Sequence, residues 1–454
     1  MTRARAGTSS LAALALSLAA TACGSGGASP VVTPQAAPPA QAPSAAAPAT
    51  ASAEPERGDP ALEPAPTAAA HATRPTSRAV VLITVDSLRA DALYGEDAAR
   101  VAPNLSALAA RSVVYRNAYA LSSVTGKSLG GLLAGRYPSE LSRSFDFFPL
   151  YADDNVFFPE ALHDAGVHTA AAHAHHSLRA DRGFAQGFTT YELLGGLMSG
   201  KAGDAQITGE PLTDLAIATL GRGPAAPDAK RFFWAHYLDP HQAYRRHEGA
   251  PAIGDGDRAA YLGEVWYADR AIGRLLAHVA SQPWGKDAAI IVTADHGEAF
   301  FEHRMGGHAF ELWEELIRVP LVVHVPGIDP RRIDATRSHL DIARTVLELM
   351  GVPAGPTFRG QSLLADLDGE PAARTVVSDL PEDKQQDRRR VVLDGGLKLH
   401  LLGVAEKPRL YDLATDAGET RDRSADLPAE LVRMRALAKT VDETARRKRP
   451  LDQR

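Results

Sequence analysis

Cysteine is almost missing from this chain: one residue, Cys23, in 454. No disulfide can therefore form within the molecule. An excess of positive charge is missing too, since 49 Lys and Arg face 55 Asp and Glu for a net charge of -6. The only basic clusters, Arg388 to Arg390 and Arg446 to Arg449, are not interleaved with aromatic residues, which argues against a nucleic-acid partner. Beyond the N-terminus no apolar run is long enough to span a bilayer. A phosphate-cradling P-loop is absent as well. The Gly-Lys-Ser of "SSVTGKSLGGLLAGRYP" (Ser122 to Pro138) has Leu121 where that loop needs its first Gly, and no strand leads into it at the required spacing.

The N-terminus has a composition of its own. Residues 1–22 carry Arg3 and Arg5, then the apolar run "LAALALSLAA", then small residues up to Cys23, which is the layout of a secretory signal. A lone Cys at such a boundary resembles the lipid-modified Cys of bacterial lipoproteins, so Cys23 is expected to carry acyl chains. These would anchor an exported protein to the cell envelope. The rest of 23–77 is Ala, Pro, Thr and Ser with almost no large apolar residue. It is too poor in buriable surface to offset its chain entropy, and a disordered tether is expected.

From residue 78 the texture is globular. "AVVLITVD", "RFFWAHYL", "AAIIVTAD" and "VPLVVHVP" read as central strands buried on both faces. "PNLSALAAR", "FPEALHDAG", "RAIGRLLAHVA" and "DIARTVLELMG" read as helices between them. The pattern predicts an α/β domain over 78–351 with a mostly parallel sheet flanked by helices. Residues 352–454 then form a smaller α+β subdomain, with a hairpin turning at Asp394-Gly395-Gly396, the strand "LYDL" and a helix from about Pro428 to Arg446.

Polar residues gather where these strands end. Asp86 closes the first, Asp295-His296 closes another, and His236, Asp239 and His241 lie at or after a third. Open α/β sheets bind ligands at the carboxyl ends of their strands, and carboxylates with imidazoles are a metal-site composition. A single Asp at such a position is more often a helix cap; two strand ends, one carrying adjacent Asp-His, favour a site. Thr125 stands just ahead of the short helix "KSLGGLLAG", whose N-terminus suits an anion. Its hydroxyl either caps that helix or serves as a nucleophile.

The ordered series "VVLITVDSLRADALY", "PNLSALAARSVVYRNAYA", "LLAGRYP", "HYLDPHQAY", "VTADHGE", "GGHAFELWEELIRVPL", "HLDIARTVLELMGV", "FRGQSLL" and "LYDLATDAGETRD" resembles the sulfatase family of the alkaline phosphatase superfamily across residues 78 to 425. The resemblance implies a single divalent metal ion (Ca, Mg, Mn or Zn) held by Asp86, Asp295 and His296, with Thr125 as the nucleophile that also touches it. It further implies that His241 and His308 contact the esterified oxyanion and protonate the leaving oxygen, with His236 of lower rank. Lys127 either adds charge near the anion or points to solvent.

Several positions depart from the family. Thr125 stands where sulfatases carry the Cys that becomes formylglycine, and Leu129 stands at the Arg of that motif. Asp86-Ser87 replaces a paired Asp, and the sulfate-holding Lys falls near Ala174. His173, His175 and His176 either take over that contact, with His176 as the candidate, or form an exposed loop. A sulfated Thr can be opened only by attack at sulfur, whereas a phosphorylated Thr can be opened by water or an alcohol at phosphorus. The sequence thus implies an anionic ester substrate, with phosphate or phosphonate preferred. A sulfate ester hydrolase is the alternative, and a degenerate binding protein is the alternative of another class.

Overall fold

The run "AVVLITV" forms strand β1 (Ala79–Val85), every residue of which is buried. It has two parallel neighbours of the same character, β5 (Arg231–Tyr237) and β6 (Ala288–Ala294). Strands covered on both faces need no alternation, which is why these were readable from their unbroken apolar runs. The computed structural model describes residues 75–198, 206–445 and 447–453. The signal segment, Cys23 and nearly all of the tether lie outside the described residues.

In chain order the other strands of the main sheet are β2 (Val113–Tyr119), β3 (His168–His173), β4 (Thr190–Leu193), β9 (Arg318–His324), β10 (Arg331–Ile333) and β11 (Arg337–Ser338), a two-residue pair β7 (Ala299–Phe300) and β8 (Gly306–Gly307) lying apart. The order across the sheet is β10-β2-β9-β6-β1-β5-β3-β4, with β11 also on β2. Only β9 runs against the rest, antiparallel to both β2 and β6. The architecture is therefore the mostly parallel sheet expected from the sequence.

Five helices matter below: α1 (Thr125–Ala134), α2 (Gly209–Gly221), α3 (Gly256–Ser281), α4 (Leu340–Leu349) and α5 (Pro428–Thr444). Two apolar clusters cover the faces of the sheet. One joins Val81, Ile83 and Phe233 to α2 and α3, and the other joins Val80, Leu82 and Trp234 to α1 and α4. Burying a large apolar side chain is worth about 1.5–3 kcal/mol, so these two layers fix the strands whose ends carry the polar groups.

A second sheet of four antiparallel strands follows: β12 (Val376–Leu380), β13 (Arg389–Asp394), β14 (Leu397–Leu402) and β15 (Lys407–Asp412). The β13–β14 turn falls at Gly395 (φ 57°) and Gly396 (φ 84°), as the Asp-Gly-Gly sequence predicts. Among the described residues, no helix is long and apolar enough to cross a membrane.

Candidate active site

Register brings the polar strand ends together. Val85 is level with Tyr237 on one side and Ala294 on the other, so Asp86 and Asp295 follow the carboxyl ends of adjacent strands. His236 lies level with Thr84 and with His173. The crevice thus opens over the ends of β3, β5, β1 and β6, where an open α/β sheet binds its ligands.

Thr125 is the first residue of α1 rather than the residue ahead of it. Its Oγ1 lies 3.1 Å from His296 Nε2 and 3.4 Å from Asp86 Oδ2. His296 Nδ1–H donates to the Gly297 carbonyl at 2.9 Å, which leaves the Nε2 lone pair facing the crevice. Burial, with His308 adding to it, holds the His296 imidazole neutral, its pKa lowered to about 3.

Asp86, Asp295 and His296 each present one ligand atom, all within 4.8 Å of one another and all buried. Asp295 Oδ2 is buried without a hydrogen-bond partner. The two carboxylates are pushed apart in acidity. Burial and then the charge of Asp86 drive Asp295 well above the usual carboxylate range. Burial also opposes ionisation of Asp86, but His241, His236, His296 and His175 together hold it well below that range. Two acids sharing one buried site push each other's acidities apart. An orphaned carboxylate oxygen, a second carboxylate and a neutral imidazole form a donor set that fits a divalent cation.

The remaining candidates divide. His308 lies over His296, ring centroids 4.3 Å apart, and 4.8 Å from the ring of His241. Its Nδ1–H donates to Glu298 Oε1 at 3.1 Å. Burial works against its charge, but Glu298 and the two aspartates raise the imidazole to about 9. His241 Nδ1–H donates to the Gln242 carbonyl at 2.7 Å, which orients its ring beside His308. His236 is fully buried, with Nδ1 2.8 Å from Thr84 Oγ1 and Nε2 3.5 Å from Asp86 Oδ2. It is a partner of Asp86 beneath the crevice floor rather than a surface for substrate.

Three further expectations are corrected. His176 Nε2 pairs with the Arg179 guanidinium at 2.7 Å, and it is His175 that enters the crevice, its Nε2 3.8 Å from Asp86 Oδ2. Ser177 N–H donates to His175 Nδ1 at 3.1 Å, so the neutral ring carries its proton on Nε2, facing Asp86. Lys127 neither faces an anion nor reaches solvent. Its ammonium is wholly buried, paired with Asp383 and donating to the Pro381 carbonyl at 3.2 Å. Asp239, grouped with the site by its motif, instead accepts hydrogen bonds from the backbone and hydroxyl of Thr208 at the start of α2.

The sequence marked Ser87 only as a departure from the family and gave Glu298 no role. Ser87 has φ 57°, a left-handed conformation that sets its hydroxyl on Asp86 Oδ1 (3.0 Å) and its N–H on Asp295 Oδ1 (3.2 Å). It links the two carboxylates where a second Asp was expected. Glu298 was visible in "ADHGE", but nothing in the sequence shows that it meets His308, ten residues on.

Residues 78–352 match the family model described as Sulfatase. Among curated proteins, the choline-sulfatase of Rhizobium meliloti (strain 1021) is 24% identical over 417 residues, covering 74% of this chain and 80% of that protein. Among solved structures, a 2-O GAG sulfatase superposes with a TM-score of 0.68 at 18% identity, covering 82% of this chain and 92% of its own. A phosphonate monoester hydrolase from Silicibacter pomeroyi gives 0.64 at 19%, covering 81% and 96%. At these identities the structural likenesses establish the fold.

Proposed function

The chain belongs to the sulfatase family, whose members are ester hydrolases, and from that premise we propose that it cleaves phosphate or phosphonate esters with Thr125 as nucleophile. One observation carries this reading. The Thr125 hydroxyl stands at the first residue of a ten-residue helix, 3.1 Å from His296 Nε2 and 3.4 Å from Asp86 Oδ2. A helix N-terminus offers unpaired N–H groups to an anionic ester, and Asp86, whose Oδ2 lies 3.4 Å from the hydroxyl, takes up its proton.

Asp86, Asp295 and His296 would hold a divalent metal ion, with Thr125 beside it; the ion would supply positive charge that acidifies the hydroxyl and offsets charge developing at the ester. The chain's own groups do the rest. Thr125 Oγ bonds to phosphorus as the bond from phosphorus to the alcohol oxygen breaks. His308 gives that oxygen its proton; it is preferred to His241 because Glu298 keeps it cationic at neutral pH. His175 Nε2–H and His241 orient the anion. Water or an acceptor alcohol, giving its proton to His308, then attacks phosphorus as the bond from phosphorus to Thr125 Oγ1 breaks, and Asp86 returns the proton to the Thr125 hydroxyl.

Hydrolysis of sulfate esters is the second reading, favoured by the match to choline-sulfatase over most of the chain. The hydroxyl at position 125 favours phosphorus, because a sulfated Thr lacks the C–O cleavage route that formylglycine hydrate provides. Export and lipid anchoring through Cys23 belong to the same proposal and rest on the sequence.

The test loads the protein with Ca, Mg, Mn or Zn in turn and assays nitrophenyl sulfate, phosphate monoester, phosphodiester and phosphonate, with Thr125→Ala alongside. Turnover of a phosphorus ester that falls at least about 10³-fold in the variant is expected. Turnover of the sulfate alone would replace this reading by the second. A bound metal that disappears in Asp295→Ala, measured by elemental analysis, is the expected companion result.

A further inference from the structure

Three phenylalanines are exposed among the described residues: Phe148 (44%), Phe301 (73%) and Phe310 (45%). Single exposed apolar residues are ordinary on a protein surface, but several clustered at the rim of a cleft mark a binding surface. Phe148 and Phe310 belong to one cluster beside Thr125, which Phe147 joins, its ring 4.9 Å from Phe148 and 5.9 Å from Phe310.

Both are tied to the start of α1. Phe310 lies two residues after His308, in a turn docked on Ser123. Ala309 N–H donates to the Ser123 carbonyl at 3.0 Å, and the Ser123 hydroxyl donates to the Glu311 carbonyl at 2.7 Å. Ala309 (φ 71°) and Phe310 (φ 59°) both adopt the left-handed conformation that side chains other than glycine rarely accept. Such a conformation persists only where its surroundings impose it, and here it holds an apolar ring in water beside the site. On the other side Pro149 packs on α1, because a Cβ at Gly126 would lie 3.3 Å from Pro149 Cδ. That contact places Phe148 with its ring 6.5 Å from the ring of His175.

The buried Lys127 now has an employment. It binds Asp383, Gln386 Nε2 donates to the same carboxylate at 3.0 Å, and Phe310 N–H donates to Gln386 Oε1 at 3.1 Å. The Lys127 ammonium also lies 5.7 Å from the centre of the Phe147 ring. Lys127 is thus a positioning residue that ties the aromatic rim to the helix bearing Thr125.

Resting on the reading of the preceding section, we infer that Phe148 and Phe310, backed by Phe147, form an apolar subsite for the alcohol portion of the ester, so that the substrate is the ester of an aryl or long-chain alcohol. The histidines of the crevice and the N-terminus of α1 suit the anionic end of such a molecule, and the rim suits its other end. Two sources share this chemistry, an aromatic ring and an alkyl chain.

The test compares phenyl, 2-naphthyl and 4-heptylphenyl esters, whose leaving phenols are similarly acidic, in the wild type, Phe148→Ser, Phe310→Ser and the double variant. The wild type should favour one of the larger esters over phenyl by at least about tenfold in kcat/KM, chiefly through KM. The ratio should fall toward one in the double variant. A naphthyl preference assigns the rim to rings and a heptylphenyl preference to chains. A ratio near one in the wild type overturns the subsite, and the Thr125 reading survives if phenyl ester turnover still depends on Thr125.

Binding of 2-naphthyl phosphate to Thr125→Ala, followed by naphthalene fluorescence, decides the matter independently of turnover. Saturation that is at least about tenfold weaker when Phe148 and Phe310 are also replaced is expected. An unchanged Kd, with 4-heptylphenyl phosphate displacing the probe equally well in both proteins, overturns the proposal. So does binding to phosphatidylcholine vesicles that the Phe replacements abolish while the ester ratios stay fixed, since that would assign the rim to a lipid surface.

Discussion

Asp239 sits two residues before His241 in "HYLDPH", yet its carboxylate is committed to Thr208, accepting from the backbone N–H at 3.1 Å and from the hydroxyl at 2.7 Å. Burial raises its pKa from 3.8 to about 6; the Thr208 bonds oppose the rise and the charge of Glu264 adds to it. Because the folded value exceeds the unfolded one, the folded protein binds the extra proton between them, and stability falls as pH rises through that window. The favourable contribution is complete below about pH 4 and lost above about pH 6. Asn keeps the acceptor without the charge. Asp239→Asn should therefore match the wild type in urea unfolding near pH 4 and exceed it at pH 7.5 by up to about 3 kcal/mol. Stability curves that run parallel from pH 4 to 7.5 would show that burial of this charge costs nothing.

At the scale of elements, α1 shows why a glycine-rich segment carries the site. Gly130 and Gly131 lie in its interior, where each costs about 1 kcal/mol relative to Ala. The space explains them. A Cβ on Gly130 would lie 2.4 Å from the Tyr151 hydroxyl oxygen, and one on Gly131 2.8 Å from Leu121 Cδ1. Tyr151 crosses the helix, donates from its hydroxyl to the Gly126 carbonyl at 2.9 Å, and is boxed in by Phe157 and Phe184. Gly130→Ala should displace it at a cost of about 1–3 kcal/mol. The expected outcome is a drop in Tm together with reduced turnover, as the first turn of α1 shifts. A Tm at or above that of the wild type would mean that Tyr151 has room to move.

At the scale of the whole molecule, the second sheet buttresses the site. Asp379 N–H donates to the Leu121 carbonyl at 2.7 Å and the Ser378 hydroxyl to the Ala120 carbonyl at 2.6 Å. Strand β12 thus braces the segment that leads into Thr125. The sheet is tied to the main domain by a buried network in which Lys398 donates to Glu314 (3.1 Å) and Glu419 (3.0 Å), and His400 to Glu419 (2.7 Å). Removing one member of a buried ion network leaves the others unpaired. Glu419→Ala should cost about 3–5 kcal/mol, and activity should disappear at a lower denaturant concentration than in the wild type. Coincident loss of activity in the two proteins would show that the C-terminal sheet does not support the site.

What the sequence determined by itself was whatever depends on local pattern. Strands β1, β5, β6 and β9 were legible because burial on both faces demands continuous apolar runs, and the β13–β14 turn because two successive left-handed residues demand Gly-Gly. That Asp86, Asp295 and His296 would meet at one crevice was legible because polar residues at the ends of such runs fall at the carboxyl edge of a parallel sheet. Tertiary structure alone decided the reversed direction of β9, and also β3, whose "HTAAAH" has little strand propensity and owes its place to pairing with β5. It also decided which of three neighbouring histidines enters the crevice, that Lys127 is spent on Asp383, and that Glu298 holds His308. Each is a pairing of side chains brought together by packing. Spacing along the chain carries no record of which partner a charge will find when the domain closes.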